Sequence, residues 1–98
     1  MSGETWAKWQ EDLIARLNKS DVVRNRQLTA EYYFAPADDT HRSSEGILFK
    51  THYGRDAYVI SKENYRAYFT SIAEPALSRE ESLKRATLKI IKFLDAEP

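Results

Sequence analysis

The spacing of apolar residues changes twice along this 98-residue chain, and this change most constrains its fold. Near the start, large apolar residues recur at helical spacing and predict a helix over residues 3–18; they are Trp6, Trp9, Leu13 and Leu17. Ser2 or Thr5 is expected to cap the start of this helix. From Leu28 to Phe34, apolar and polar residues alternate, which predicts a β-strand. Helical spacing returns after residue 61. A chain with both periods is expected to fold as an α+β protein.

A β-hairpin and two further helices are expected after the first strand. Residues 47–53 and 57–60 form the arms of the hairpin, and Gly54-Arg55 is predicted as a type II′ turn. Ser61 is expected to cap the second helix and Pro75 to end it, because the residue before proline avoids the helical region. A capping-box pattern at residues 78–81 opens the third helix. Its predicted apolar side consists of Leu83, Ala86, Ile90, Phe93 and Leu94.

These elements predict one small α+β domain over residues 1–98. The order is α-β-β-β-α-α, with an antiparallel three-stranded sheet packed against helices. The segment of residues 35–45 is polar and shows no periodicity, so it is predicted to be a flexible loop.

The composition disfavours several classes of protein. Fifteen Lys and Arg residues balance fifteen Asp and Glu residues, which argues against a bulk-electrostatic binder of nucleic acid. The chain has no cysteine, and therefore no disulfide or thiolate nucleophile. No apolar run reaches the length of a membrane span, and the first residues carry no secretory pattern. We therefore expect a cytoplasmic protein that does not enter a membrane.

No motif of catalysis or of metal binding is present in the sequence. The histidines are His41 and His52, and no nucleophile with an orienting carboxylate can be assigned to either. His41 shares its loop with Asp38, Asp39 and Glu45, but the spacing matches neither an EF-hand loop nor an HExxH helix. We expect no catalytic residue, no metal and no cofactor; an enzyme that uses one of the histidines is the least favoured class.

The aromatic content favours protein binding instead. The chain has six tyrosines and two tryptophans, and exposed tyrosines beside arginines are typical of protein interfaces. The predicted partner-binding residues are Tyr33, Arg42, Arg55 and Tyr58. The hairpin and the long loop are expected to act together. The predicted function is a non-catalytic binding module of the inhibitor, adaptor or mobile-element accessory type. Its partner is another protein, and a homodimer formed through the edge strands stays open.

The alternative function is a nucleic-acid-binding regulator. Its candidate residues are Arg24, Arg26 and Lys50 beside exposed tyrosines. Residues 54–65 resemble the hairpin-to-helix segment of the Phd/YefM antitoxin family. This resemblance implies an N-terminal part that binds operator DNA and C-terminal helices that bind a toxin. The order of the elements is also similar to that of the Alu-domain subunits of the signal recognition particle, which bind RNA.

Overall fold

The structure, a computed structural model, describes residues 5–74 and 76–96. The helices are α1 (Trp6–Lys19), α2 (Asp21–Asn25), α3 (Arg66–Ala73) and α4 (Arg79–Ala96). The strands are β1 (Leu28–Ala35), β2 (Ser44–Thr51) and β3 (Asp56–Ser61), and a 3₁₀ turn spans Lys62–Asn64. The strands form an antiparallel sheet in the order β1-β2-β3, so the predicted fold class is confirmed.

Helix α1 begins and faces inward as its sequence predicts. Thr5 caps it, because its Oγ1 accepts a hydrogen bond from the backbone N–H of Lys8 at 3.2 Å. The predicted stripe packs against the sheet: Trp9, Leu13 and Leu17 are fully buried and Trp6 is half-buried. Ser2, the other predicted cap, lies outside the described residues.

The hydrophobic core lies between the helices and one face of the sheet. Residues opposite one another on neighbouring strands share a face. Ala30, Phe49 and Ile60 all point towards the helices and belong to the core. Leu48 is only 6% exposed but does not belong to this core, because alternation along β2 puts it on the other face.

Strands β2 and β3 approach closely at Gly46. A Cβ atom added there would overlap the backbone oxygen of Ile60 and would lie 3.1 Å from the Cα atom of Ser61. Only glycine therefore fits between the strands at this position.

The hairpin turn differs from the predicted type II′ turn. The backbone N–H of Thr51 donates to the Arg55 carbonyl at 2.8 Å, which closes a loop of residues 52–54. Gly54 ends this loop with φ of +81°, a conformation that side-chain-bearing residues rarely adopt. The glycine is needed, but at the last position of the loop rather than at the first.

Helical boundaries differ in two places. Val22 and Val23 are β-branched residues of the type that favours strands, yet they lie in α2, where Val23 is fully buried against the core. Ser61 precedes the 3₁₀ turn, and α3 starts only at Arg66. Pro75 lies outside the described residues.

Helix α4 begins as predicted, because the backbone N–H of Glu81 donates to Ser78 Oγ at 3.1 Å. Its apolar side is buried except at Phe93, which is 40% exposed at the flank of the stripe.

The loop between β1 and β2 is shorter than predicted. It covers residues 36–43 rather than 35–45, because Ala35 and Ser44 are paired across the sheet. Within it, Asp38 accepts hydrogen bonds from the backbone N–H groups of Thr40 and His41 at 2.8 and 2.6 Å. These bonds lower the pKa of the Asp38 carboxyl below its ordinary value.

Across residues 5–74 and 76–96, none of the helices is both long enough and apolar enough to cross a membrane.

Candidate functional site

An aromatic cluster at the start of α1 organises one end of the molecule. The Trp6 ring stacks on Trp9 and on Tyr65, with ring centroids 5.7 Å apart in both pairs. Phe69 of α3 meets Trp6 edge-on at 5.2 Å. The Trp9 indole N–H donates to Ser82 Oγ of α4 at 3.0 Å inside the core. These contacts fix the position of Trp6 relative to both the sheet and the C-terminal helices.

The carboxylate of Glu45 contacts three polar side chains beside this aromatic cluster. Its Oε2 accepts hydrogen bonds from the Trp6 indole N–H at 3.2 Å and from the Tyr32 hydroxyl at 2.8 Å. Lys62 Nζ lies 3.6 Å from its other oxygen. Partial burial, and then the bond to this carboxylate, raise the pKa of the Tyr32 hydroxyl. Glu45 thus joins α1, β1 and the 3₁₀ turn through a single side chain.

Two buried polar side chains near this point have no hydrogen-bond partner among the described residues. Gln10 of α1 is 2% exposed, and neither its Oε1 nor its Nε2 is bonded. The hydroxyl of Tyr65 is buried without a partner, and burial raises the pKa of that group. A buried amide without partners destabilises a fold by roughly 1–3 kcal/mol, so such groups are uncommon away from functional sites.

A groove lies between α1 and β1, and Gln10 is part of its wall. Its volume is about 630 Å³, within the range of roughly 300–1,000 Å³ that is usual for ligand sites. The surface of this α1–β1 groove is mostly apolar. It is lined by Trp6, Ala7, Gln10, Glu11, Ile14, Ala30, Glu31, Tyr32 and Glu45. No lysine or arginine is among these residues, whereas three of them are glutamates.

Strand β1 borders the groove as an edge strand. The Asn18 side chain covers the backbone of Ala30: its amide donates to the Ala30 carbonyl at 3.0 Å and accepts from the Ala30 N–H at 2.7 Å. The backbone groups of Ala30 therefore point away from β2, and by alternation those of Tyr32 and Phe34 do too. We call the outward backbone groups of Tyr32 and Phe34 the free edge, because no described residue bonds to them.

The free edge also carries exposed aromatic side chains. Tyr32 is 52% exposed and Phe34 is 55% exposed, and both point to the same side of the sheet as the groove. Large exposed aromatic residues beside an unpaired strand edge are typical of surfaces that bind another chain.

The structure separates the residues that were predicted to bind a partner. Tyr33 is half-buried on the sheet face opposite the helices, whereas Tyr58 points towards the helices and packs against the core. Arg42 lies exposed in the loop before β2, and Arg55 lies exposed in the turn after it. The seven residue steps of β2 separate these two ends by about 23 Å. The structure thus does not bring these four residues into one cluster, and the joint action of the loop and the hairpin stays a prediction.

The predicted nucleic-acid-binding residues are not brought together either. Arg24 and Arg26 lie at the end of α2, where Arg26 is 3.6 Å from an oxygen of Asp95. Lys50 lies on the outer face of the sheet and contacts Glu31 at 3.2 Å. Two of the three cations thus have a carboxylate partner.

The histidines lie apart as well. His41 contacts Asp38 at 3.2 Å in the exposed loop, and His52 is exposed in the hairpin turn. In the part of the chain that the structure describes, no group of three or more histidines and carboxylates is placed to hold a metal ion.

The sequence reasoning missed the residues that form the groove. Glu45 was assigned to the flexible loop, although it pairs with Phe34 at the end of the ladder. Extending the β1–β2 alternation by two residues would have placed it on the core side. Gln10 carries a weaker signal: it follows Trp9 and precedes Leu13 on the inward-facing side of α1.

Comparison of the chain with protein-family models, with curated proteins and with solved structures finds no match.

Proposed function

We propose that this protein is a non-catalytic binding module that captures an extended segment of another protein at the free edge of β1. The observation that carries the proposal is the unpaired backbone of Tyr32 and Phe34, bordered by a groove of about 630 Å³. An added strand gains main-chain hydrogen bonds from the edge, and the neighbouring groove supplies selectivity. The exposed rings of the same two residues add apolar contact area.

The geometry favours β1 over the other edge of the sheet. Strand β3 spans only Asp56–Ser61, and its pairing with β2 shifts register between Phe49 and Lys50. Short edge strands and bulges are features that discourage the addition of a further strand. Strand β1 has eight residues and pairs with β2 without a shift in register. Among the described residues, Asn18 covers its outward backbone groups at Ala30.

The test uses a random peptide library displayed on phage and selected on the immobilised full chain. Enriched peptides are synthesised with a fluorescein label, and their binding is measured by fluorescence anisotropy. The key variant is Phe34→Pro, which removes one outward N–H without removing a hydrogen bond of the sheet. The matched control is Phe34→Val, which removes the same ring but keeps the N–H.

We expect the peptides to bind the wild type and, more weakly, Phe34→Val, whereas binding to Phe34→Pro should be lost. Circular dichroism of all three proteins checks that the fold is retained. Equal binding to both variants, or no enrichment of peptides, would refute capture at the edge. Sedimentation experiments also compare the oligomeric state of the wild type and Phe34→Pro. If the wild type is a dimer and Phe34→Pro is a monomer, the edge serves self-association and the proposal is overturned.

A further inference from the structure

We propose that the α1–β1 groove selects a basic side chain, arginine or lysine, of the captured segment. This inference rests on the proposed function and names the chemistry of the partner. It follows from the direction in which a new strand would point its side chains, from the acceptor groups that the groove presents, and from the apolar wall between them.

The position of the free edge determines which side chain enters the groove. The Asn18 side chain is hydrogen-bonded to both the N–H and the carbonyl of Ala30, so a new strand can begin to pair only at Tyr32. Residues directly opposite one another in a sheet point to the same face. The residue opposite Tyr32 therefore projects to the helix side, where Trp6 and Gln10 line the groove.

Hydrogen-bond acceptors outnumber free donors among the side chains that line the groove. The indole N–H of Trp6 and the hydroxyl of Tyr32 already donate hydrogen bonds to Glu45. Glu11 and Glu45 line the groove, whereas the side chain of Glu31 is turned to the outer face of the sheet, where it contacts Lys50. Gln10 adds an unbonded Oε1 and an unbonded Nε2. An anionic side chain would meet no basic partner in the lining, whereas a cation would meet several acceptors.

The lysines that contact these carboxylates lie outside the lining of the groove. Lys8 is 3.9 Å from Glu11, Lys50 is 3.2 Å from Glu31, and Lys62 is 3.6 Å from Glu45. The Lys8–Glu11 pair is exposed, and such pairs are weak and screened by salt, so Glu11 stays able to accept a further cation. The Lys62–Glu45 pair is half-buried, but its 3.6 Å separation is longer than a hydrogen bond, so Oε1 of Glu45 can still accept one from a ligand.

The apolar wall fits the stem of a long basic side chain. Trp6, Ala7 and Ile14 line the same groove as the glutamates, and the methylene chain of lysine or arginine packs well against such apolar surfaces. Gln10 is an independent indication of a ligand, because its side chain is only 2% exposed and its amide has no hydrogen-bond partner among the described residues.

The test uses labelled host peptides of the form Ser-Thr-Val-Xaa-Val-Thr-Ser in which Xaa is arginine, lysine, norleucine or glutamate. Their affinities are measured by fluorescence anisotropy at low and at high salt. The proteins are the wild type, Glu45→Gln and the control Glu74→Gln, an exposed residue at the end of α3 that does not line the groove. The amide of Glu45→Gln still accepts hydrogen bonds from Trp6 and Tyr32, so the fold is expected to persist.

We expect the arginine and lysine peptides to bind the wild type about tenfold or more tightly than the norleucine and glutamate peptides. The preference should shrink in Glu45→Gln and at high salt, and it should be unchanged in Glu74→Gln. Equal binding of all four peptides would refute the selection of a cation while leaving capture at the edge intact. Binding of none of them to the wild type would overturn both proposals.

Discussion

Replacing Gln10 with methionine should stabilise the protein. The side chain is 2% exposed, and neither of its amide atoms has a partner in the described part of the chain. Methionine has a similar length and shape but does not require a hydrogen bond. Glutamine and methionine also have nearly equal helix propensities, so the change reports on the buried environment and not on α1 itself.

The expected gain follows from the cost of the unpaired amide. Burying such a group without compensation costs roughly 1–3 kcal/mol in mutational data. We therefore expect Gln10→Met to raise the free energy of unfolding by about 1–3 kcal/mol. For a domain of this size, each kcal/mol corresponds to roughly 4–8 °C in the melting temperature. A rise of about 4–24 °C is expected.

Urea unfolding followed by tryptophan fluorescence, together with thermal melts, measures this gain. Gln10→Glu is the matched control, because it has nearly the same shape but carries a charge and should be destabilised. An unchanged or lowered stability of Gln10→Met would refute the reasoning, since it would show that the wild-type amide is satisfied. The same variant should bind the arginine host peptide less tightly, which would explain why a destabilising residue occupies this position.

Three further changes test the fold. Gly46→Ala should destabilise the protein by about 2–4 kcal/mol in urea unfolding, because the new methyl group forces β2 and β3 apart; an unchanged midpoint would contradict the close approach. Ser82→Ala leaves the buried Trp9 indole N–H unpaired and should cost roughly 1–3 kcal/mol, whereas a neutral result would mean that the indole finds another acceptor. The hydrogen bond from Arg79 lowers the pKa of the Asp12 carboxyl in the folded protein. The ionised carboxylate therefore stabilises the fold fully above the unfolded-state pKa of about 3.9, and this stabilisation is lost as the pH falls through the lower folded-state pKa. In Asp12→Asn, the free energy of unfolding should therefore fall less steeply with decreasing pH in the acid range than in the wild type. The same slope for both proteins would contradict this.

The sequence predicts the elements that depend on local spacing. The stripe of α1, the strand β1 and the cap at Ser78 are found where they were expected, because each depends on residues within a few positions of one another. The alternation of β1 predicts burial only as far as Ala30, since Tyr32 and Phe34 point to the helix side but are more than half exposed. The short helix α2 was missed, since Val22 and Val23 favour strands locally. The burial of Val23 against the core outweighs that preference.

The groove could not be predicted in the same way. Glu45 and Trp6 are 39 positions apart, and only the register of β1 with β2 brings the carboxylate beside the indole. The free edge likewise depends on Asn18, which covers Ala30 from a different element. The residues predicted to bind a partner do not form one cluster, because the strand direction puts Arg42 and Arg55 at opposite ends of β2.

The sequence by itself determined the fold class of this protein, the order of its main elements and most of its core, because hydrophobic periodicity selects which face of each element is buried. The tertiary structure alone decided which polar groups meet, which strand edge stays open and where a groove remains. These features depend on pairing between distant segments, and neither spacing nor composition specifies the register of that pairing.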